Sequence, residues 1–273
     1  LGLCTSIAIF AKVSAALFPV YALVIDVFLA PRLQGDERYN KIRRFLLLVP
    51  PLFVIFYISP LNIDWFKVHE LRGFNPWERL NTQAVILWEY LVKAFLPQQP
   101  TSYGPFHDYY GVREIGLFTI LSIVSWMVLF CFAVVCSKKF RLAAFAILWF
   151  LSGHLIESTT VMLELYFEHR NYIALYGPCL AITLGAWSLR GKLSRVLPAV
   201  YIVYVTMLMA ITLSMTTLWG QPLKAAEIWS VKHPGSARAV LHSVFQGMEL
   251  ESSELHATNQ DFSERDPTLF IKL

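Results

Sequence analysis

Residues 115–163 read IGLFTILSIVSWMVLFCFAVVC (115–136), SKKFR (137–141) and LAAFAILWFLSGHLIESTTVML (142–163). Two apolar runs flank a short basic connector. A helix needs about 20 apolar residues to cross a bilayer core, and each run supplies them. Lys- and Arg-rich connectors of this length stay on the cytoplasmic side. The stretch therefore predicts a helical hairpin that crosses a membrane twice, with Lys138, Lys139 and Arg141 inside.

Working outward, four more segments qualify or nearly so: Leu3–Ala30, Phe45–Pro60, Tyr172–Leu189 and Val196–Leu218. Pro50-Pro51 falls within the second of these, which a membrane bundle tolerates when neighbours satisfy the freed carbonyls. Two further basic connectors obey the same rule: Arg32, Arg38, Lys41, Arg43 and Arg44 in one, Arg190, Lys192 and Arg195 in the other. Keeping all three connectors inside requires an even number of crossings between them. Thr82–Leu96, apolar but short and interrupted by Glu89 and Lys93, is then an interfacial or re-entrant helix within an external loop, 61–113. The expected fold is all-α: a polytopic transmembrane bundle of about six spans plus the interfacial helix. Both ends are expected outside.

Composition agrees. The chain is 56% hydrophobic and 15% charged, with a mean hydropathy of +0.52, against about 45–50% and about 25% in soluble domains. Its aromatic residues, 15% of the chain, suit interfacial anchoring, as for Trp65 and Trp77. The net charge of +4 lies in topological connectors and does not point to nucleic acid. Cys4, Cys131, Cys136 and Cys179 lie in apolar runs without metal-ligand or disulfide spacing. The chain opens on Leu1, almost inside an apolar run, so it is expected to be the C-terminal portion of a longer protein. Two regions are expected: a transmembrane region over 1–219 and an extracytoplasmic helical segment over 220–273. In the latter, residues 225–239 read as helix, turn, helix, with Pro234-Gly235 turning the chain and Ser236 capping the second helix.

The chemistry-bearing residues cluster late in the 142–163 run and just beyond it. On a continuous helix His154, Glu157, Glu164 and Glu168 fall within about an 80° arc, an intramembrane polar stripe. Ionisable groups in hydrocarbon cost about 2.5–3.5 kcal/mol each on insertion scales, so they face a bundle interior or a wet cavity. The plainer reading is a stripe that hydrogen-bonds helices together. Next come Glu168, His169 and Arg170. A planar guanidinium grips phosphate in a fork, and a neighbouring carboxylate orients it or holds a divalent ion; an interfacial anchor cluster is the alternative. Lys12, in the outer third of the first run, is a second candidate phosphate ligand, or a snorkelling lysine. Asp26 reads as structural. His107 and Asp108, adjacent in an aromatic external loop, read as an acceptor or metal loop, or as a packed surface loop. No Walker motif, GxSxG, HExxH or GxGxxG is present. An enzyme of this kind takes an activated substrate carried by a lipid.

Four passages resemble one family, the GT-C-type polytopic glycosyltransferases with C-terminal tetratricopeptide repeats (TMTC-like O-mannosyltransferases and their bacterial relatives). They are Ala11-Lys12-Val13-Ser14-Ala15-Ala16-Leu17-Phe18-Pro19; Leu87-Trp88-Glu89-Tyr90-Leu91 through Pro97 with Phe106-His107-Asp108; Leu163 through Tyr172; and Trp229 through Ala239. The resemblance implies transfer of a sugar from a polyprenyl-phosphate carrier to a protein or glycan acceptor on the extracytoplasmic face of a bacterial inner membrane, with the C-terminus in the periplasm. It implies a donor-phosphate site at Glu168, His169, Arg170 and Lys12, and an acceptor or metal loop at Asp108. It places the catalytic base in an external loop before residue 1, leaves a divalent cation (Mg or Mn) open as cofactor, and calls for no nucleic acid. An O-antigen ligase or polymerase, a transporter and a non-catalytic membrane scaffold remain alternatives.

Overall fold

The computed structural model describes residues 2–29, 37–59, 74–96, 98–102, 104, 108, 111, 114–159, 161, 163–188 and 196–265. Among them every regular element is helical. In chain order these are α1 (Gly2–Ala11), a 3₁₀ turn (Val13–Leu17), α2 (Phe18–Phe28), α3 (Glu37–Ile58), α4 (Pro76–Phe95), a 3₁₀ turn (Pro100–Ser102), α5 (Leu117–Val135), α6 (Arg141–Gly153), a 3₁₀ turn (Glu168–Arg170), α7 (Asn171–Ala174), α8 (Tyr176–Ser188), α9 (Val196–Trp219), α10 (Pro222–Lys232) and α11 (Ala237–Arg265). The all-α expectation is met.

The chain divides into two units. The first comprises residues 1–96 and 111–202, the second 97–110 and 203–273. The second unit thus takes in the later part of α9.

In the first unit, α2 packs on α3 and α6, α4 on α5, α5 on α6, and α6 on α8. The core holds Leu17, Tyr21, Val24, Phe28, Phe145 and Trp149. The Tyr21 and Trp149 rings meet at a tilt of 37°, their centroids 4.3 Å apart, and Trp149 donates Nε1–H to the Ile173 carbonyl at 2.8 Å. Tryptophans also pin α4 to α5. Trp126 donates to the Ala84 carbonyl at 2.9 Å, Trp88 donates to Ser125 Oγ at 2.9 Å, and the two indoles stack at 4.6 Å. Asp26, read as structural from sequence, pairs with Arg43 at 3.1 Å, and Arg141 donates to the Phe28 carbonyl at 2.6 Å.

Among the described residues two helices, α5 and α9, are long and apolar enough to cross a membrane. Most of their side chains are exposed or half-buried: α9 has no buried residue, α5 buries only Thr119, Trp126 and Ala133, and Phe118, Met127, Val128 and Val203 are each 60% or more exposed. A water-soluble surface rarely carries contiguous apolar area beyond a few hundred Å². Ser14–Phe28 and Arg141–Gly153 are apolar but shorter.

Boundaries differ from the sequence reading at four places. The helix expected from Phe45 begins at Glu37, so Arg38, Lys41, Arg43 and Arg44 of the expected connector lie within it. The first apolar run is broken at Lys12, whose backbone is extended (φ −155°, ψ 127°). The helix expected from Thr82 begins at Pro76, because Asn75 forms a capping box: its side chain accepts from the Glu78 N–H at 2.9 Å while Glu78 accepts from the Asn75 N–H at 2.8 Å. The helix expected to reach Leu163 ends at Gly153, which removes the helical basis of the polar stripe.

In the second unit α10 and α11 form a hairpin closed on Trp229, which is 1% exposed and packs on Ala225, Ala239 and Leu218. Trp219 meets it edge-on at 4.9 Å. Ser236 caps α11 as expected, its Oγ accepting from the Ala239 N–H at 3.0 Å.

Candidate functional site

Beyond Gly153 the chain runs through turns (154–159), then, at the described residues 161 and 163–167, irregular backbone, then the 3₁₀ turn Glu168–Arg170. Irregular backbone packed inside protein needs outside partners for its carbonyls. One face of α4 supplies them. Arg79, 0% exposed, donates Nη2 to the Glu157 carbonyl at 2.7 Å, Nε to that of Thr159 at 2.9 Å and Nη1 to that of Leu163 at 2.5 Å. One helical turn on, Gln83 donates to the Leu165 carbonyl at 2.6 Å. Tyr90 accepts from the Phe167 N–H at 2.8 Å, and Lys93 pairs with Glu168 at 2.7 Å. The spacing Arg79, Gln83, Tyr90, Lys93 is that of one helix face.

This clamp sets where each candidate residue lies. His154 is 3% exposed. Its Nε2 lies 3.2 Å from Asn171 Oδ1, and its ring stacks against Tyr90 at 5.5 Å. It therefore joins the end of α6 to α7 and α4. Glu157 does come together with Arg170, the carboxylate Oε2 lying 3.9 Å from Nε. Arg170 also donates Nη1 to the Glu164 carbonyl at 3.1 Å and lies over the Phe167 ring at 5.1 Å. Lys12, exposed at the break between α1 and the 3₁₀ turn, acts electrostatically on both Glu157 and His169. Burial, then the positive charges of Arg170 and Lys12, hold His169 below the ordinary imidazole value. Arg170, Lys12, His169, Glu157 and Glu164 thus form one charged cluster, while Glu168 pairs with Lys93, whose Nζ lies over the Tyr166 ring at 4.9 Å.

In the second unit, both carboxylate oxygens of Asp108 are engaged at the start of α11. Ser236 Oγ donates to Oδ1, and the Arg238 N–H donates to Oδ2 at 2.9 Å. Partial desolvation pushes the carboxyl up, but these donors outweigh it and hold it below the ordinary range. The Asp108 seen here is an anchor for a helix N-terminus. His107 lies outside the described residues. Among the described residues no group of three or more His, Cys, Asp or Glu side chains is placed to hold a metal ion.

Sequence reasoning missed Arg79, Gln83 and Tyr90. The available signal was a polar stripe of helical period running into the apolar stretch from Arg79 to Lys93. Comparison with protein-family models, with curated proteins and with solved structures finds no match to this chain.

Proposed function

We propose that the chain is a multi-pass membrane protein whose charged cluster grips the phosphate of a polyprenyl-linked sugar, for transfer of that sugar to a protein or glycan acceptor on the extracytoplasmic face. The observation that carries the phosphate grip is the gathering of Arg170, Lys12 and His169 around one turn in a chain with two long apolar helices. Arg170 offers planar paired donors, and Lys12 a point charge. A leaving phosphate takes the electron pair of the broken glycosidic C–O bond, so fixed cations there favour departure. The transfer chemistry itself rests on the resemblance in Lys12–Pro19 and Glu168–Tyr172. The six-span topology belongs to the same proposal.

The test is binding in lipid nanodiscs. The chain is expected to bind polyprenyl phosphate in preference to polyprenol of equal length, and Arg170→Ala to weaken binding by about 10- to 100-fold. A charged hydrogen bond contributes about 1.5–3 kcal/mol, and about 1.4 kcal/mol is tenfold. Equal affinity for the two lipids would reject the phosphate grip. For topology, a cysteine at Gln99 should react with an impermeant thiol reagent added from outside; reaction only from the cytoplasmic side would invert the arrangement.

A further inference from the structure

The carboxylate of Glu157 sits where an anion would sit. Its side chain is 12% exposed, and among the described residues its buried Oε2 has no hydrogen-bond partner. Arg170 is 3.9 Å away, beyond hydrogen-bonding reach but within ion-pairing distance. Lys12 is the other cation acting on it. Its own backbone carbonyl is tied to Arg79 at 2.7 Å, so the side chain hangs from a fixed point. A buried charged oxygen left without a donor is costly. Its retention beside two cations calls for an explanation that a structural ion pair of good geometry would not need.

We propose that Glu157 is the resident counter-anion of the phosphate site. It balances Arg170 and Lys12 while the site is empty, and it takes up a proton from solvent when a phosphate group enters. This rests on the phosphate-grip reading above and adds to it the coupling of ligand to proton. The step is one proton moving from water to a Glu157 carboxylate oxygen, with no bond broken in the ligand. The physical reason is that two anions sharing one site do not both stay ionised without cost. Among the described residues, the charged and titratable groups around Glu157 are Lys12 from the break after α1, Arg170 from the 3₁₀ turn, Tyr21 from α2, and Tyr90 and Arg79 from α4, Arg79 meeting its backbone carbonyl. His169 stands beyond them, under the charges of Arg170, Lys12 and Glu164.

Proton uptake on binding fixes the sign: affinity is highest at low pH and falls as pH rises, by up to about tenfold per unit. The probe is a polyprenyl methyl phosphodiester in nanodiscs, because a diester carries a fixed charge, whereas a monoester titrates near about pH 6. His169 also gains charge at low pH, so the measurement is repeated in His169→Gln. The expected result is a pH slope in the wild type that survives His169→Gln, and in Glu157→Gln a flat profile with affinity at high pH at least equal to the wild type. Calorimetry of the wild type in two buffers of different ionisation enthalpy should register uptake of close to one proton, and needs no variant to fold. A wild-type profile that is flat, or a slope unchanged in Glu157→Gln, overturns the proton coupling and leaves the phosphate grip standing. Absence of phosphate-dependent binding at every pH overturns both.

Discussion

Arg79→Ala is expected to destabilise the first unit by about 3–5 kcal/mol, because it leaves three carbonyls without their donor. The arginine is fully buried, and three of its nitrogens each donate to a different carbonyl, at Glu157, Thr159 and Leu163. An orphaned buried acceptor costs about 1–3 kcal/mol. Water entering the vacated space recovers part of that, which places the sum in the same range. Arg79→Lys should recover little, because a single ammonium cannot reach three carbonyls held in a planar fan. Trp77→Ala, two residues away and 65% exposed, serves as the control and should cost well under 1 kcal/mol on the general pattern for surface sites. Thermal unfolding in detergent, followed by helical circular dichroism, reads all three. An Arg79→Ala chain as stable as the Trp77→Ala chain would show that the clamp contributes nothing.

The same arginine shows where the sequence stopped being legible. Apolar runs such as 117–135 and 196–219 announce their helices, because spanning length and apolar composition are properties of the segment itself. The end of α6 is not such a property. Periodicity continues through His154, Glu157 and Glu164, and the helix stops at Gly153 all the same. Carbonyls beyond it have donors on α4, 78 to 84 residues earlier in the chain. Arg79 itself sits in Trp77-Glu78-Arg79, which by composition reads as polar loop. The Asn75–Glu78 capping box was a readable signal for starting the helix there, and the helix face from Arg79 to Lys93 was readable once it started. Asp108 was singled out for its chemistry, but its partners lie 128 and 130 residues on, and no local pattern connects them. Glu157 and Arg170 were both marked from sequence. Their meeting comes not from a helical stripe but from the clamped turns between them.

Small residues decide how closely α6 approaches α7 and α8, and the largest packing effect is expected there. A Cβ on Gly177 would lie 2.7, 2.8 and 2.9 Å from Trp149 Cβ, Cγ and Cδ1. A Cβ on Gly153 would lie 2.6 Å from both Ala174 Cβ and Tyr21 Oη. Trp149 cannot swing aside cheaply. Its Cβ is fixed to α6, its ring lies against Tyr21 at 4.3 Å, and its Nε1–H is bonded to Ile173. Gly177→Ala must therefore push α8 off α6 and should cost about 1–3 kcal/mol, the usual range for overpacking. Gly185→Ala lies on the same helix, where a Cβ meets nothing within 4 Å. Because alanine is the better helix former, that change should stabilise by about 0.5–1 kcal/mol. One helix thus yields opposite signs eight residues apart. Gly153→Ala should resemble Gly177→Ala, and the double variant should cost less than the sum. Once the helices have separated to admit one methyl group, the second finds part of its space already made. Thermal unfolding of the four variants decides it. Gly177→Ala no less stable than Gly185→Ala would mean that α6 and α8 are not in close contact, and Trp149 would then lose its place between Tyr21 and Ile173.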